Sequence, residues 1–137
     1  MGKVFFLLVD DDTALLSATS RIVKRFLDSS GLEAEILSAG SGLAAQGVAA
    51  AMLALHPEAE WCLVTDYDMP GMSGAELIDA LDFLLGQKLL MRLVMTGLPS
   101  PERKTEIEGK GAFIECKPVS TAQLNSYLNM FAMNLSR

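Results

Sequence analysis

The sequence has little of what marks a secreted, membrane-spanning or nucleic-acid-binding chain. It holds 2 cysteines, 1 histidine and 11 basic residues against 17 acidic ones, for a net charge of −6. No basic cluster exceeds the "ERK" at 102–104, which argues against direct nucleic-acid binding. Long hydrophobic runs are missing too. "KVFFLLV" at 3–9 is stopped by "DDD" at 10–12, without the roughly 7–15 apolar residues and small-residue cleavage site of a signal sequence. No stretch reaches the ~18 apolar residues of a membrane span. The expectation is a cytoplasmic protein with no membrane segment. Cys62 and Cys116 lie inside apolar runs at neither metal-binding nor disulfide-framework spacing, which predicts buried thiols in a reducing compartment. His56, just before Pro57, reads as a surface residue, and nothing points to a catalytic or phosphorylated histidine.

What is present is a compact, core-forming composition. Half the residues are apolar and 20% are charged, which fits one globular domain over residues 1–137. Apolar runs of strand length alternate five times with longer helical patterns. The strands are expected at 4–9, 33–38, 61–65, 89–95 and 112–116. The first, third and fourth are almost continuously apolar, as central parallel strands covered on both faces should be. Helices are expected at 13–28, 41–55, 73–86, 99–109 and 121–135. The first carries Leu15, Thr19, Ile22 and Phe26 at helical spacing, and the last carries Leu124, Tyr127, Leu128, Phe131 and Leu135 on one face. Ser73 followed by Glu76 forms a capping-box pattern at the start of the third. This (βα)₅ alternation, without linker or repeat, predicts an α/β doubly wound five-stranded parallel sheet with helices on both faces.

In such folds the working site lies at the carboxyl ends of the strands. The first strand ends at Asp10, Asp11 and Asp12, and the third at Asp66 and Asp68 within "LVTDYDMPGMSG". The fourth ends at Thr96 and Gly97, the fifth at Lys117 and Pro118. Each has an ordinary reading alone: Asp10–Asp12 can cap a helix, Thr96 can sit in a turn, Lys117 can be solvated. Their joint placement is what those readings leave unexplained. Clustered carboxylates repel unless a cation holds them, and an oxygen-only set suits Mg²⁺. A carboxylate oxygen left free is a nucleophile able to form an acyl phosphate, with Lys117 and the Thr96 hydroxyl to stabilise the transferring group.

Four motifs in this order, "LLVDDD" at 7–12, "LVTDYDMPGMSG" at 63–74, "VMTG" at 94–97 and "CKPV" at 116–119, resemble the receiver domain of two-component response regulators. The resemblance covers nearly the whole chain and implies a chemotaxis-regulator-like fold with strand order 2-1-3-4-5. It also implies that Asp66 is the phosphoacceptor, that Asp10, Asp11 and Asp66 hold Mg²⁺ with the backbone carbonyl of Asp68, and that Thr96 and Lys117 bind the phosphoryl group. Pro118 in the family commonly follows a cis peptide bond. The implied partners are a histidine kinase or phosphotransfer protein and an output target or domain. The implied product is a changed conformation at the helix 4–strand 5–helix 5 face. By this reading the chain is a signalling switch and not an enzyme in the usual sense.

Three features depart from the family pattern. The aromatic residue usual three positions before the lysine is replaced by Ile114, with Phe113 one earlier. The segment from Gly111 to Lys117 is one residue short, which predicts a bulge or register change near Phe113. Position 68 is an aspartate at the expected site entrance, either facing solvent or altering phosphoryl lifetime. Leu98 either shields the phosphoryl group or packs on a helix. Met130 and Met133 fall off the main stripe of the last helix, as a candidate homodimer or partner surface or, more economically, as packing inside the domain. Two rival functions remain. One is a Mg²⁺-dependent phosphatase or phosphotransferase of haloacid-dehalogenase type, built on the D-x-D of Asp66 and Asp68; it lacks the late acidic pair and cap domain of that family. The other is a degenerate receiver that only binds partners.

Overall fold

The computed structural model describes residues 2–135. Five strands, β1 (Val4–Val9), β2 (Glu35–Ala39), β3 (Glu60–Asp66), β4 (Leu89–Thr96) and β5 (Phe113–Cys116), alternate with five helices. These are α1 (Thr13–Ser30), α2 (Gly42–Leu55), α3 (Gly74–Leu85), α4 (Pro101–Glu108) and α5 (Thr121–Met133). The strands form one parallel sheet in the order β2-β1-β3-β4-β5. This is the doubly wound α/β architecture expected from the sequence.

Continuous apolar strands force the two-sided core. In β1, Phe5, Leu7 and Val9 face one layer with Trp61, Leu63, Leu77, Ile78 and Leu81. Phe6 and Leu8 face the other with Val23, Phe26, Leu93, Leu128 and Phe131. Full burial of such a side chain contributes roughly 1.5–3 kcal/mol, so central strands cannot slip without exposing both layers. No helix among the described residues is long and apolar enough to cross a membrane.

Several local expectations need correction. Strand β2 starts at Glu35, because Gly31 ends α1 in a left-handed conformation (φ 73°) only after the helix has run on to Ser30. On α1, Phe26 is buried with Val23 and Ile22 packs beside them, while Leu15 is exposed, so the expected stripe fails only at its first residue. The irregular register is not near Phe113. The β4–β5 pairing runs in step from Leu93↔Phe113 to Thr96↔Cys116, and the shift lies between Trp61 and Cys62. Cys62 is buried, but Cys116 is exposed at the end of the edge strand. His56 is not a free surface residue: it caps α2, and its ring lies 5.6 Å from that of Phe5. Met130 and Met133 do not pack inside the domain, because Leu124, Leu128 and Phe131 already fill the inward face of α5.

The turn after β3 is fixed by two glycines. Gly71 adopts φ 83°, and Gly74 opens α3 directly beneath the strand end. A Cβ on Gly74 would lie 2.5 Å from the Asp66 carbonyl oxygen and 3.1 Å from Tyr67 Cα, both backbone atoms. Gly74→Ala is therefore expected to cost about 2 kcal/mol in urea unfolding through overpacking, and to move the Asp66 resonances in an NMR spectrum. An unchanged midpoint would show that the turn yields freely.

Candidate functional site

Backbone hydrogen bonds carry the sheet ladder past each strand end and so align the terminal residues. Asp10 N–H donates to the Ala39 carbonyl at 3.2 Å, Tyr67 N–H to Met95 at 2.9 Å and Lys117 N–H to Thr96 at 2.8 Å. The result is a cluster in which Asp10, Asp66 and Thr96 are buried. Lys117 reaches into it, with Nζ 3.0 Å from Asp66 Oδ1 and 3.2 Å from Asp10 Oδ2. The Lys117–Pro118 peptide bond is cis. Asp11 is exposed at the rim, and one carboxylate oxygen each from Asp10, Asp11 and Asp66 lies within 4.8 Å of the others. Asp12 leaves this group to cap α1, accepting from Ala14 N–H at 3.0 Å and Leu15 N–H at 3.1 Å. Asp10, Asp11, Asp66, Thr96 and Lys117 are thus brought to one edge.

The electrostatics are those of a crowded anionic pocket. Burial raises the Asp66 carboxyl above its ordinary 3.8, and the nearby Asp10 charge adds to this; Lys117 and the Asp68 backbone N–H only partly offset it. Burial opposes the Lys117 charge, yet the hydrogen bond and charge of Asp66, with the charge of Asp10, outweigh it and hold the ammonium above its ordinary value. All donors in the acidic group are oxygens, they converge from two strand ends, and a cation already sits between two of them. That donor set fits Mg²⁺.

A pH dependence follows. A carboxyl with a raised folded-state pKa contributes stability below its unfolded value near 3.8, and that contribution is lost as pH rises through the folded value. Carboxylate NMR of the metal-free protein should show Asp66 titrating above 3.8, and added Mg²⁺ should pull that midpoint down. A midpoint unmoved by Mg²⁺ would exclude Asp66 as a ligand.

The sequence reading missed one participant. Asp68 neither faces solvent freely nor points at Asp66. Arg103 on α4 binds it with both arms, Nη1 to Oδ2 at 2.7 Å and Nη2 to Oδ1 at 2.8 Å. The same Nη1 donates to Thr96 Oγ1 at 2.9 Å, and the guanidinium carbon lies 4.0 Å over the Tyr67 ring. Tyr67 in turn donates its hydroxyl proton to Glu106, also on α4. Leu98 is exposed and does not pack on a helix; its N–H donates to Thr96 Oγ1 at 3.1 Å. Phe113 does not take over the absent aromatic position. Its ring lies 5.0 Å from that of Tyr127, while Ile114 packs into the layer that holds Ile107 of α4.

No protein-family model matches the sequence, and no curated protein matches it. Solved structures do. Chemotaxis protein CheY4 of Vibrio cholerae is 27% identical over 94% of this chain and 98% of its own, with a TM-score of 0.68. A response regulator receiver domain from Clostridium thermocellum is 18% identical over 93% of both chains, with a TM-score of 0.75. The receiver domain of the regulator NarL from Mycobacterium tuberculosis is 21% identical over 98% of this chain and 100% of its own, with a TM-score of 0.66. The fold is that of the receiver domains of two-component response regulators. It supports a role in phosphorylation-dependent signalling in general terms.

Proposed function

We propose that the chain is a cytoplasmic receiver that accepts a phosphoryl group on Asp66 from a phosphohistidine of a histidine kinase or phosphotransfer protein. The observation that carries this reading is the meeting of Asp10, Asp66, Thr96 and Lys117, from four strand ends, with Lys117 Nζ 3.0 Å from Asp66. In the transfer, an Asp66 carboxylate oxygen forms a bond to phosphorus while the donor's P–N bond breaks, and the leaving imidazole takes a proton from solvent. Lys117 pairs with the charge on the transferring oxygens, and the Thr96 hydroxyl donates to one of them. Asp10, Asp11 and Asp66, with the Asp68 backbone carbonyl, would hold Mg²⁺. When bound, the ion neutralises part of the acidic group and lets a second anion approach.

Hydrolysis later returns the carboxylate, with water oxygen bonding to phosphorus as the acyl–phosphate bond breaks. The lasting product is a conformation, so the chain is a switch and not a turnover enzyme. Its readout is a partner or output domain at the α4–β5–α5 face.

The test is incubation with acetyl phosphate and Mg²⁺ followed by intact mass. One phosphoryl adduct that decays on standing is expected, together with no sustained hydrolysis of p-nitrophenyl phosphate. Steady phosphomonoester turnover would instead favour the haloacid-dehalogenase-type reading. A folded, Mg²⁺-binding protein that never gains mass would favour a degenerate receiver.

A further inference from the structure

We infer that Arg103 is a phosphoryl-sensing residue, held in reserve by Asp68, that couples helix α4 to the occupancy of Asp66 where no switch aromatic is available. This rests on the reading of Asp66 as phosphoacceptor. Three observations carry it. First, Arg103 is already inside the site's hydrogen-bond network, because its Nη1 donates to the hydroxyl of Thr96. That hydroxyl also accepts from Leu98 N–H, so both lone pairs are engaged and its proton is left for an incoming acceptor. A phosphoryl oxygen that takes this proton is joined to the guanidinium through two hydrogen bonds meeting at one hydroxyl, which leaves the two about 4–5 Å apart.

Second, Arg103 has capacity to spare. Of its five N–H groups, Nη1 spends both of its hydrogens and Nη2 one, all on Asp68 and Thr96. The remaining two have no acceptor among the described residues. A phosphoryl group carries more charge and more acceptor oxygens than the half-exposed carboxylate of Asp68, and planar guanidinium favours such an anion. The exchange moves the arginine from the rim toward the centre.

Third, the arginine does not move alone. It lies over Tyr67, and Tyr67 is hydrogen-bonded to Glu106 one turn further along α4. Re-aiming Arg103 therefore releases the ties it makes from α4 to Asp68 and Tyr67 in the turn after β3. Ile114 has neither a ring nor a polar side-chain atom for this task, and Phe113 lies against Tyr127, which packs on the opposite layer.

The experiment records backbone amide NMR spectra with and without beryllofluoride and Mg²⁺, beside intact-mass labelling by acetyl phosphate. The proteins are the wild type, Arg103→Gln and Asp68→Asn. In the wild type the amides of α4 should shift on beryllofluoride binding. In Arg103→Gln the shifts near Asp66 and Lys117 should persist while those of α4 are lost, and labelling should slow roughly tenfold for want of the cation. Asp68→Asn, which frees the arginine, should move α4 amides toward their activated positions before any phosphoryl analogue is added. A full α4 response in Arg103→Gln, or an unmoved α4 in Asp68→Asn, overturns the inference while labelling of Asp66 stands. Failure of the wild type to be labelled overturns the phosphoacceptor reading first, and this inference with it.

Discussion

Lys117→Ala is expected to lower the stability of the metal-free protein by about 2–3 kcal/mol, and Mg²⁺ should restore most of that loss. Asp10 and Asp66 are 2% and 5% exposed, and Lys117 is the cation between them. Removing one partner of a buried pair leaves uncompensated charge, which costs about 3–5 kcal/mol when the pair is fully buried. The Lys117 side chain retains 21% exposure, so water takes up part of the loss and brings the cost down to about 2–3 kcal/mol. Mg²⁺ competes with the ammonium for the carboxylates of Asp10 and Asp66. The variant should therefore bind Mg²⁺ more tightly than the wild type while being labelled by acetyl phosphate more slowly. Urea unfolding with and without Mg²⁺, alongside a Mg²⁺ titration, separates these effects. Weaker Mg²⁺ binding in the variant would mean that the lysine organises the acidic group instead of competing for it.

Asp66→Asn should abolish labelling altogether and still make the metal-free protein more stable at neutral pH. The two effects have one cause. Burial and the neighbouring Asp10 charge make ionisation of Asp66 unfavourable in the fold, and Lys117 and the Asp68 N–H compensate only in part. The amide keeps the shape and an acceptor oxygen but carries no charge, so the repulsion goes while most contacts remain. The unfolding temperature should rise by a few degrees at pH 7, with the gain shrinking as pH falls toward the Asp66 titration and the wild-type carboxyl becomes neutral. Mg²⁺ should stabilise the variant less than the wild type. A variant less stable than the wild type at pH 7 would show that the Asp66–Lys117 pair is worth more than its desolvation costs.

These effects could be framed from sequence because the residues concerned are tied to strand ends. Apolar runs located β1, β3 and β4, and a doubly wound sheet leaves only one edge for whatever follows them. Asp10, Asp66, Thr96 and Lys117 are read off that edge without knowing any side-chain rotamer. The Ser73–Glu76 capping box was equally legible, and it forms as its spacing implies. A second capping box, Ser120 with Gln123, follows the same rule and went unread.

What escaped is whatever depends on how a helix sits on the sheet. Arg103 and Asp68 are 35 residues apart, and their pairing depends on the pitch of α4, a short polar helix with only Ile107 buried. "ERK" at 102–104 offered no sign that its arginine turns inward and its lysine does not. The facing of Leu15, Met130 and Met133 was lost for a related reason. Helical spacing groups residues on a face, but the choice of buried face is made by the neighbouring layer. Cys116 misled because it ends a four-residue edge strand that has a neighbouring strand on one side only.

The most direct test of the central claim is to locate the phosphoryl group. The protein would be treated with acetyl phosphate and Mg²⁺, then with borohydride, which reduces an aspartyl phosphate to homoserine, and digested for peptide mass spectrometry. The account predicts homoserine at position 66 alone, dependent on Mg²⁺. Homoserine at Asp10, Asp11 or Asp68 with position 66 unmodified would contradict it.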